Sequence, residues 1–183
     1  MHKGDGKMDG ETMYQRIAIT GPESSGKTSL AQALAARFGT VWTGEYARAY
    51  LLDKGGAYGF GDLAEIARGQ LQRQEEDAPL AQGFHFCDTD LVALKVWSDY
   101  RFGRTDPFIL EELQKNRYDL TLLCRPDIPW EADPLRENPH DRDVLFLLFK
   151  KELENLQLPF VEIFGTGEDR LEIAARALEG LRV

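Results

Sequence analysis

The chain has 183 residues, which suits one domain of ordinary size with a real core. Hydrophobic residues make up 43% and charged residues 29%, the balance of a soluble globular protein, and no apolar run approaches the ~18 residues that a membrane helix needs. A formal charge of −9 argues against bulk binding of nucleic acid, which wants a basic face, yet leaves room for a local anion site.

Residues 1–13 are rich in Gly, Lys and Asp and contain no apolar signal-peptide core, so a flexible tail is expected there, ahead of a single domain over 14–183. Arg16–Thr20 is a short apolar run, as in a strand buried on both faces. Gly21-Pro22-Glu23-Ser24-Ser25-Gly26-Lys27-Thr28 follows and fits the phosphate-loop pattern G-x-x-x-x-G-K-[ST]. Behind it, Leu30, Leu34 and Phe38 recur every fourth residue and mark a helix that Gly39 ends. Strand, glycine-rich turn and helix together are the context that gives the pattern meaning. Successive backbone N–H groups of the loop can form a nest for phosphate oxygens, reinforced by the helix N-terminus. Lys27 adds a point charge for the β- and γ-phosphates, and the Thr28 hydroxyl is a ligand for Mg²⁺. Glu23, Ser24, Ser25 and Ser29 complete the candidate nucleotide-binding stretch.

Thr40–Thr43 is a second candidate strand, and a helix is expected from about Glu45 to Lys54, broken by Gly55-Gly56. Asp62 reads as the N-cap of a helix from Leu63 to about Gln82. Phe84–Asp88 is the next strand, a helix follows from Leu91 to Phe102, and Asp106-Pro107 starts another over Phe108–Asn116. Asp119–Cys124 is a fourth strand. Arg125–His140 is proline-rich, charged and without period, so a functional loop is expected, a mobile lid over about 125–141. A helix from about Asp141 to Leu156, a fifth strand Pro159–Phe164, the turn Gly165-Thr166-Gly167 and a helix from about Asp169 to Leu181 close the chain. Strands alternate with helices, which implies an α/β fold with a five-stranded parallel sheet covered on both faces. Ligands then bind at the carboxyl ends of the strands.

Several polar residues fall at those ends. Asp88 is placed as the second Mg²⁺ carboxylate, with Asp90 as the cap of the following helix. Glu45 is a candidate base for the proton of an attacking hydroxyl, with Asp88 as its rival. Arg136, in the lid, is the candidate cation over the transferring phosphoryl group, with Arg125 and Arg142 near it. Arg48, one turn from Glu45, either touches substrate or pairs with it. Aromatics crowd the region: Trp42, Tyr46, Tyr58, Phe60, Trp97, Tyr100 and Trp130. His85 lies within a strand pattern and reads as structural. Cys87 and Cys124 lie in strand-like runs and read as buried thiols in a reducing cytoplasm.

Gly-Pro-Glu-Ser-Ser-Gly-Lys-Thr, Glu45-Tyr46-Ala47-Arg48, Asp88-Thr89-Asp90 and Trp130-Glu-Ala-Asp133-Pro-Leu-Arg136, in that order, resemble the ribosylnicotinamide kinase domain of the NadR family. The resemblance covers most of 14–182. It implies a nucleoside-monophosphate-kinase-like core and transfer of the ATP γ-phosphate to the ribose 5′-hydroxyl of nicotinamide riboside. Trp42, Glu45, Tyr46, Arg48 and Asp88 are then expected around the acceptor, a flat cationic ring on a ribose. Gly165 and Thr166 are expected beside the adenine by analogy of fold. No His-x-Gly-His segment or DNA-binding segment occurs, so a stand-alone kinase is expected. The lid is shorter between Arg136 and Arg142 than in the family, which favours Arg136. Another nucleoside or small alcohol as acceptor, a regulatory NTP-driven switch, and homo-oligomerisation all stay open.

Overall fold

The computed structural model describes residues 14–115 and 117–181. The tail expected over 1–13, Asn116 and the last two residues lie outside them. Five strands form one sheet: β1 (Tyr14–Thr20), β2 (Val41–Thr43), β3 (Gly83–Asp88), β4 (Leu120–Cys124) and β5 (Phe160–Ile163). All neighbours are parallel and the spatial order is β2-β3-β1-β4-β5. The chain leaves β1 for the β2 edge and later crosses to the β4 side, so β1 lies at the point where strand order reverses, where open α/β sheets bind ligands.

Helices cover both faces. α1 (Lys27–Phe38) and α7 (Glu168–Glu179) pack Leu30, Leu34, Ala174 and Leu178 against Ile17, Ile19, Phe86 and Leu122. α2 (Tyr46–Asp53), α3 (Phe60–Asp77), α4 (Leu91–Phe102), α5 (Pro107–Leu113) and α6 (Arg142–Asn155) form the second core around Leu63, Ile66, Leu94, Ile109, Phe149 and Leu153. This two-sided burial explains why the strands read as continuous apolar runs. Among the described residues, no helix is long and apolar enough to cross a membrane.

α3 departs from the expectation at both ends. It begins at Phe60 with Gly59 before it, and Asp62 lies inside the first turn. The Asp62 carboxylate accepts the Gly59 N–H at 2.8 Å, the Tyr50 hydroxyl at 2.5 Å and the Lys54 ammonium at 2.6 Å, which folds the glycine-rich loop back onto the helix start. The helix stops at Asp77 and not near Gln82, because Pro79 permits only a 3₁₀ turn over Ala78–Leu80. Likewise α5 ends at Leu113, short of the expected Asn116.

Candidate active site

The phosphate loop joins β1 to α1 in a conformation its sequence requires. Gly21 has φ 136°, and a Cβ there would lie 2.5 Å from the Cys124 carbonyl oxygen, so only glycine fits against β4. Gly26 has φ 75° and Ser24 φ 52°. The Lys27 ammonium donates to the Gly21 carbonyl at 3.1 Å and the Pro22 carbonyl at 2.9 Å, and the Ser25 hydroxyl donates to Pro22 at 2.7 Å.

Beneath the loop, the Thr28 hydroxyl donates to Asp88 Oδ2 at 2.5 Å, while Asp88 Oδ1 is buried without a hydrogen-bond partner among the described residues. Parallel pairing of Ile19 with Asp88 brings this carboxylate beside the loop. Burial raises the Asp88 pKa against the opposing pull of Lys27 and the Thr28 hydroxyl. Asp90 is the cap of α4, accepting the Ala93 N–H at 2.9 Å and the Thr20 hydroxyl at 2.8 Å. Glu45, at the start of α2, is half-buried and its carboxylate makes no hydrogen bond among the described residues. Burial raises its pKa; Lys27 pulls it down and Asp88 pushes it further up.

A cavity of about 450 Å³ opens from the loop. Gly21, Glu23, Ser24, Ser25, Gly26, Lys27, Thr28 and Ser29 line one side, and Glu45, Arg48, Thr89, Trp97 and Tyr100 line the other. Ile128, Leu135, Arg136 and Asn138 of the 125–141 segment form its roof. That segment lies on the loop. Arg142 Nη1 donates to the Ser24 and Ile128 carbonyls, both at 3.0 Å, and Arg136 Nη1 reaches the Ser24 hydroxyl at 3.4 Å and the Glu131 carbonyl. Both guanidiniums flank Trp130, 5.9 and 5.7 Å from its ring centre. Arg125 is turned away, paired with Glu162. Arg48 pairs with Asp133 of the roof, and not with Glu45 through a hydrogen bond.

Two expected acceptor residues lie elsewhere. Thr43 faces α3, donating to Asp77 Oδ2 at 2.7 Å, so the alternating neighbour Trp42 packs on the opposite, α1 side of the sheet. Tyr46 turns into α3, against Gly69 and 4.7 Å from the Arg73 guanidinium, with its N–H held by Gln70 Oε1 at 2.7 Å. The aromatic wall of the cavity is Trp97 and Tyr100, which share one face of α4 by their three-residue spacing. Gly165 and Thr166 lie outside this cavity; the Gly165 N–H donates to Asp127 Oδ2 at 2.8 Å. Sequence reading missed Arg170, which is buried and donates to the Ser25 carbonyl at 2.7 Å and to Asp127 Oδ1 at 2.8 Å.

The model of a family described as "AAA domain" matches residues 16–170. The chain is 33% identical over 150 residues to the trifunctional NAD biosynthesis/regulator protein NadR of Escherichia coli K12, covering 80% of this chain and 35% of that protein. The Salmonella typhimurium NadR gives 33% over 153 residues, 80% of this chain and 37% of that protein. The chain thus spans about a third of the length of these curated relatives. Among solved structures, NadR in complex with NR superposes with a TM-score of 0.76 at 22% identity, covering 92% of this chain and 50% of that one. NadR in complex with NAD and AMP-PNP gives 0.75 at 22% identity, with 92% and 49% covered. Deoxyadenosine kinase from M. mycoides with bound dCTP gives 0.56 at 12% identity, with 90% and 99% covered. The fold is therefore the phosphate-loop α/β fold that these structures share, with the five-stranded parallel sheet expected from the strand and helix order, and the resemblance to NadR extends beyond the motifs. With the matched model running from β1 into α7 around this loop, the chain belongs to the AAA-domain family.

Proposed function

We propose that this protein is an ATP-dependent kinase that transfers the γ-phosphate to the ribose 5′-hydroxyl of nicotinamide riboside, giving nicotinamide mononucleotide. The observation that carries this reading is a cavity in which the phosphate loop faces Glu45, whose carboxylate has no hydrogen bond among the described residues, and an aromatic wall, Trp97 and Tyr100. It is supported by the likeness to NadR, named for NAD biosynthesis and solved with NR and with AMP-PNP. The loop amides and Lys27 hold the triphosphate. Thr28 and Asp88 fit a hard cation, since the buried, unpartnered Asp88 Oδ1 sits beside the Thr28 hydroxyl, and they would hold Mg²⁺ directly or through water. When bound, that ion offsets charge on the β- and γ-phosphates. Glu45 takes the hydroxyl proton; Asp88, its rival, is engaged by Thr28. Arg136 stands over the loop to meet the transferring group, and the aromatic wall suits a flat cationic ring. Two buried free thiols, Cys87 and Cys124, fit a cytoplasmic setting.

The test is ADP formation from Mg-ATP, with and without nicotinamide riboside, beside uridine, thymidine and adenosine. Stimulation by nicotinamide riboside alone is expected, with kcat falling about 10²–10³-fold in Lys27→Ala. Stimulation by a different nucleoside replaces the substrate. Acceptor-independent hydrolysis with no nucleoside effect removes the kinase reading in favour of a switch.

A further inference from the structure

A carboxylate inside a phosphate-binding loop needs a reason, because it opposes the anion the loop is built to hold. Glu23 is such a group, and the roof of the cavity supplies its partners. Its carboxylate accepts the Glu137 N–H at 3.0 Å and the Asn138 N–H at 2.9 Å. The next residue, Ser24, takes the other limb of the same segment: its hydroxyl accepts the Glu131 N–H at 2.9 Å. Adjacent loop residues thus bind both limbs of the 125–141 segment, and Arg48 pairs with Asp133 between them. The Glu137 N–H belongs to the peptide group that follows Arg136. Fixing that peptide fixes the backbone from which the Arg136 guanidinium reaches the loop.

We infer that Glu23 is the positioning residue of the lid: it fastens the backbone at 137–138 to the phosphate loop and thereby aims Arg136 over the transferred group. Its charge is matched to this task. With the lid down, two backbone N–H groups engage the carboxylate; with the lid lifted, a bare negative charge faces the triphosphate. Binding of nucleotide therefore favours the fastened state, and the fastened state favours binding of nucleotide. The fastening stands on the contacts alone, whereas its effect on turnover rests on the kinase reading.

Amide hydrogen exchange separates the two. In the ligand-free full chain, Glu23→Ala removes the acceptor and should raise exchange of the Glu137 and Asn138 amides about tenfold or more. Glu23→Gln keeps an oxygen acceptor of the same reach and should stay within about threefold of the wild type, and circular dichroism should show all three chains folded. In turnover, Glu23→Ala should raise acceptor-independent ATP hydrolysis relative to acceptor-dependent ADP formation about tenfold, with Glu23→Gln between it and the wild type. Unchanged exchange at 137 and 138 in a folded Glu23→Ala overturns the inference, even if nicotinamide riboside stimulates the wild type. Increased exchange in a protein that no nucleoside stimulates leaves the latch standing and removes the kinase reading.

Discussion

The protonation of His85 is settled by its neighbours. Thr43 has one hydroxyl proton, and it goes to the Asp77 carboxylate at 2.7 Å. The 2.7 Å contact between the Thr43 oxygen and His85 Nε2 must then be donated by the imidazole. Nε2 carries the proton, and the buried Nδ1, without a partner among the described residues, carries only a lone pair. Burial, with Arg16 adding to it, lowers the pKa from 6.5 to about 4, although Asp77 and Glu75 pull the other way. Because the folded value lies below the unfolded one, this contribution to stability is complete above pH 6.5 and is lost as pH falls toward 4, to the extent of about 3 kcal/mol. An NMR titration of the His85 ring should show it neutral down to about pH 4; a midpoint near 6.5 would refute the buried neutral tautomer. Single residues were legible in the sequence where their partners are close by. Asp90 caps the helix it precedes, and the phosphate loop carries its own conformation in Gly21 and Gly26. Trp42 was not legible, because a three-residue strand gives two faces and nothing local says which one meets the ligand.

Elements were read well where periodicity ran long, and poorly where one element sets the position of another. The five strands and the helices that join them follow from apolar runs and glycine breaks. The packing of α2 on α3 does not, since it depends on Gly69 in the middle of α3, a residue that helix propensity alone disfavours. A Cβ at Gly69 would lie 2.2 Å from Tyr46 Cε1, and the ring is already backed by Arg73. The missing side chain lets α2 approach, and Glu45 is the residue that immediately precedes α2. Gly69→Ala is therefore expected to cost about 1–3 kcal/mol in urea unfolding, as overpacking does. It should also lower kcat about 10²-fold by shifting Glu45. Gly61 is the control: it lies in the same helix with open space where its Cβ would stand, so Gly61→Ala should be neutral or stabilising by about 0.5–1 kcal/mol. If Gly69→Ala unfolds and turns over like Gly61→Ala, close approach of α2 is not what places Glu45.

At the scale of the whole molecule, the loops that follow three neighbouring strands, β1, β4 and β5, meet beside the cavity and support the phosphate loop from behind. Arg170 of α7 ties those loops together, although it lies 145 residues from Ser25 in the chain. One guanidinium nitrogen donates to Ser25 of the phosphate loop, and the other reaches Asp127 after β4 at 2.8 Å and the Gly165 carbonyl after β5 at 3.3 Å. Asp127 closes the ring by accepting the Gly165 N–H. A planar fork can meet three loops at once, whereas an ammonium presents a single point charge. Arg170→Met would leave the Ser25 carbonyl and Asp127 without this donor. A fully buried pair broken in this way costs about 3–5 kcal/mol, but the Asp127 side chain is 35% exposed and water reaches it, so about 2–3 kcal/mol is expected here. Arg170→Lys should recover less than half of that loss. The displaced phosphate loop should also raise the KM for ATP, because its amides and Lys27 hold the triphosphate, and lower kcat as well, because Arg136 and the lid backbone behind it are fastened to Ser24 and Glu23 of the same loop. Urea unfolding and ADP-release kinetics on both variants decide the matter. A methionine variant as stable as the wild type, or a lysine variant that restores it fully, would mean that the loops are positioned by their strands and that Arg170 only fills space between them.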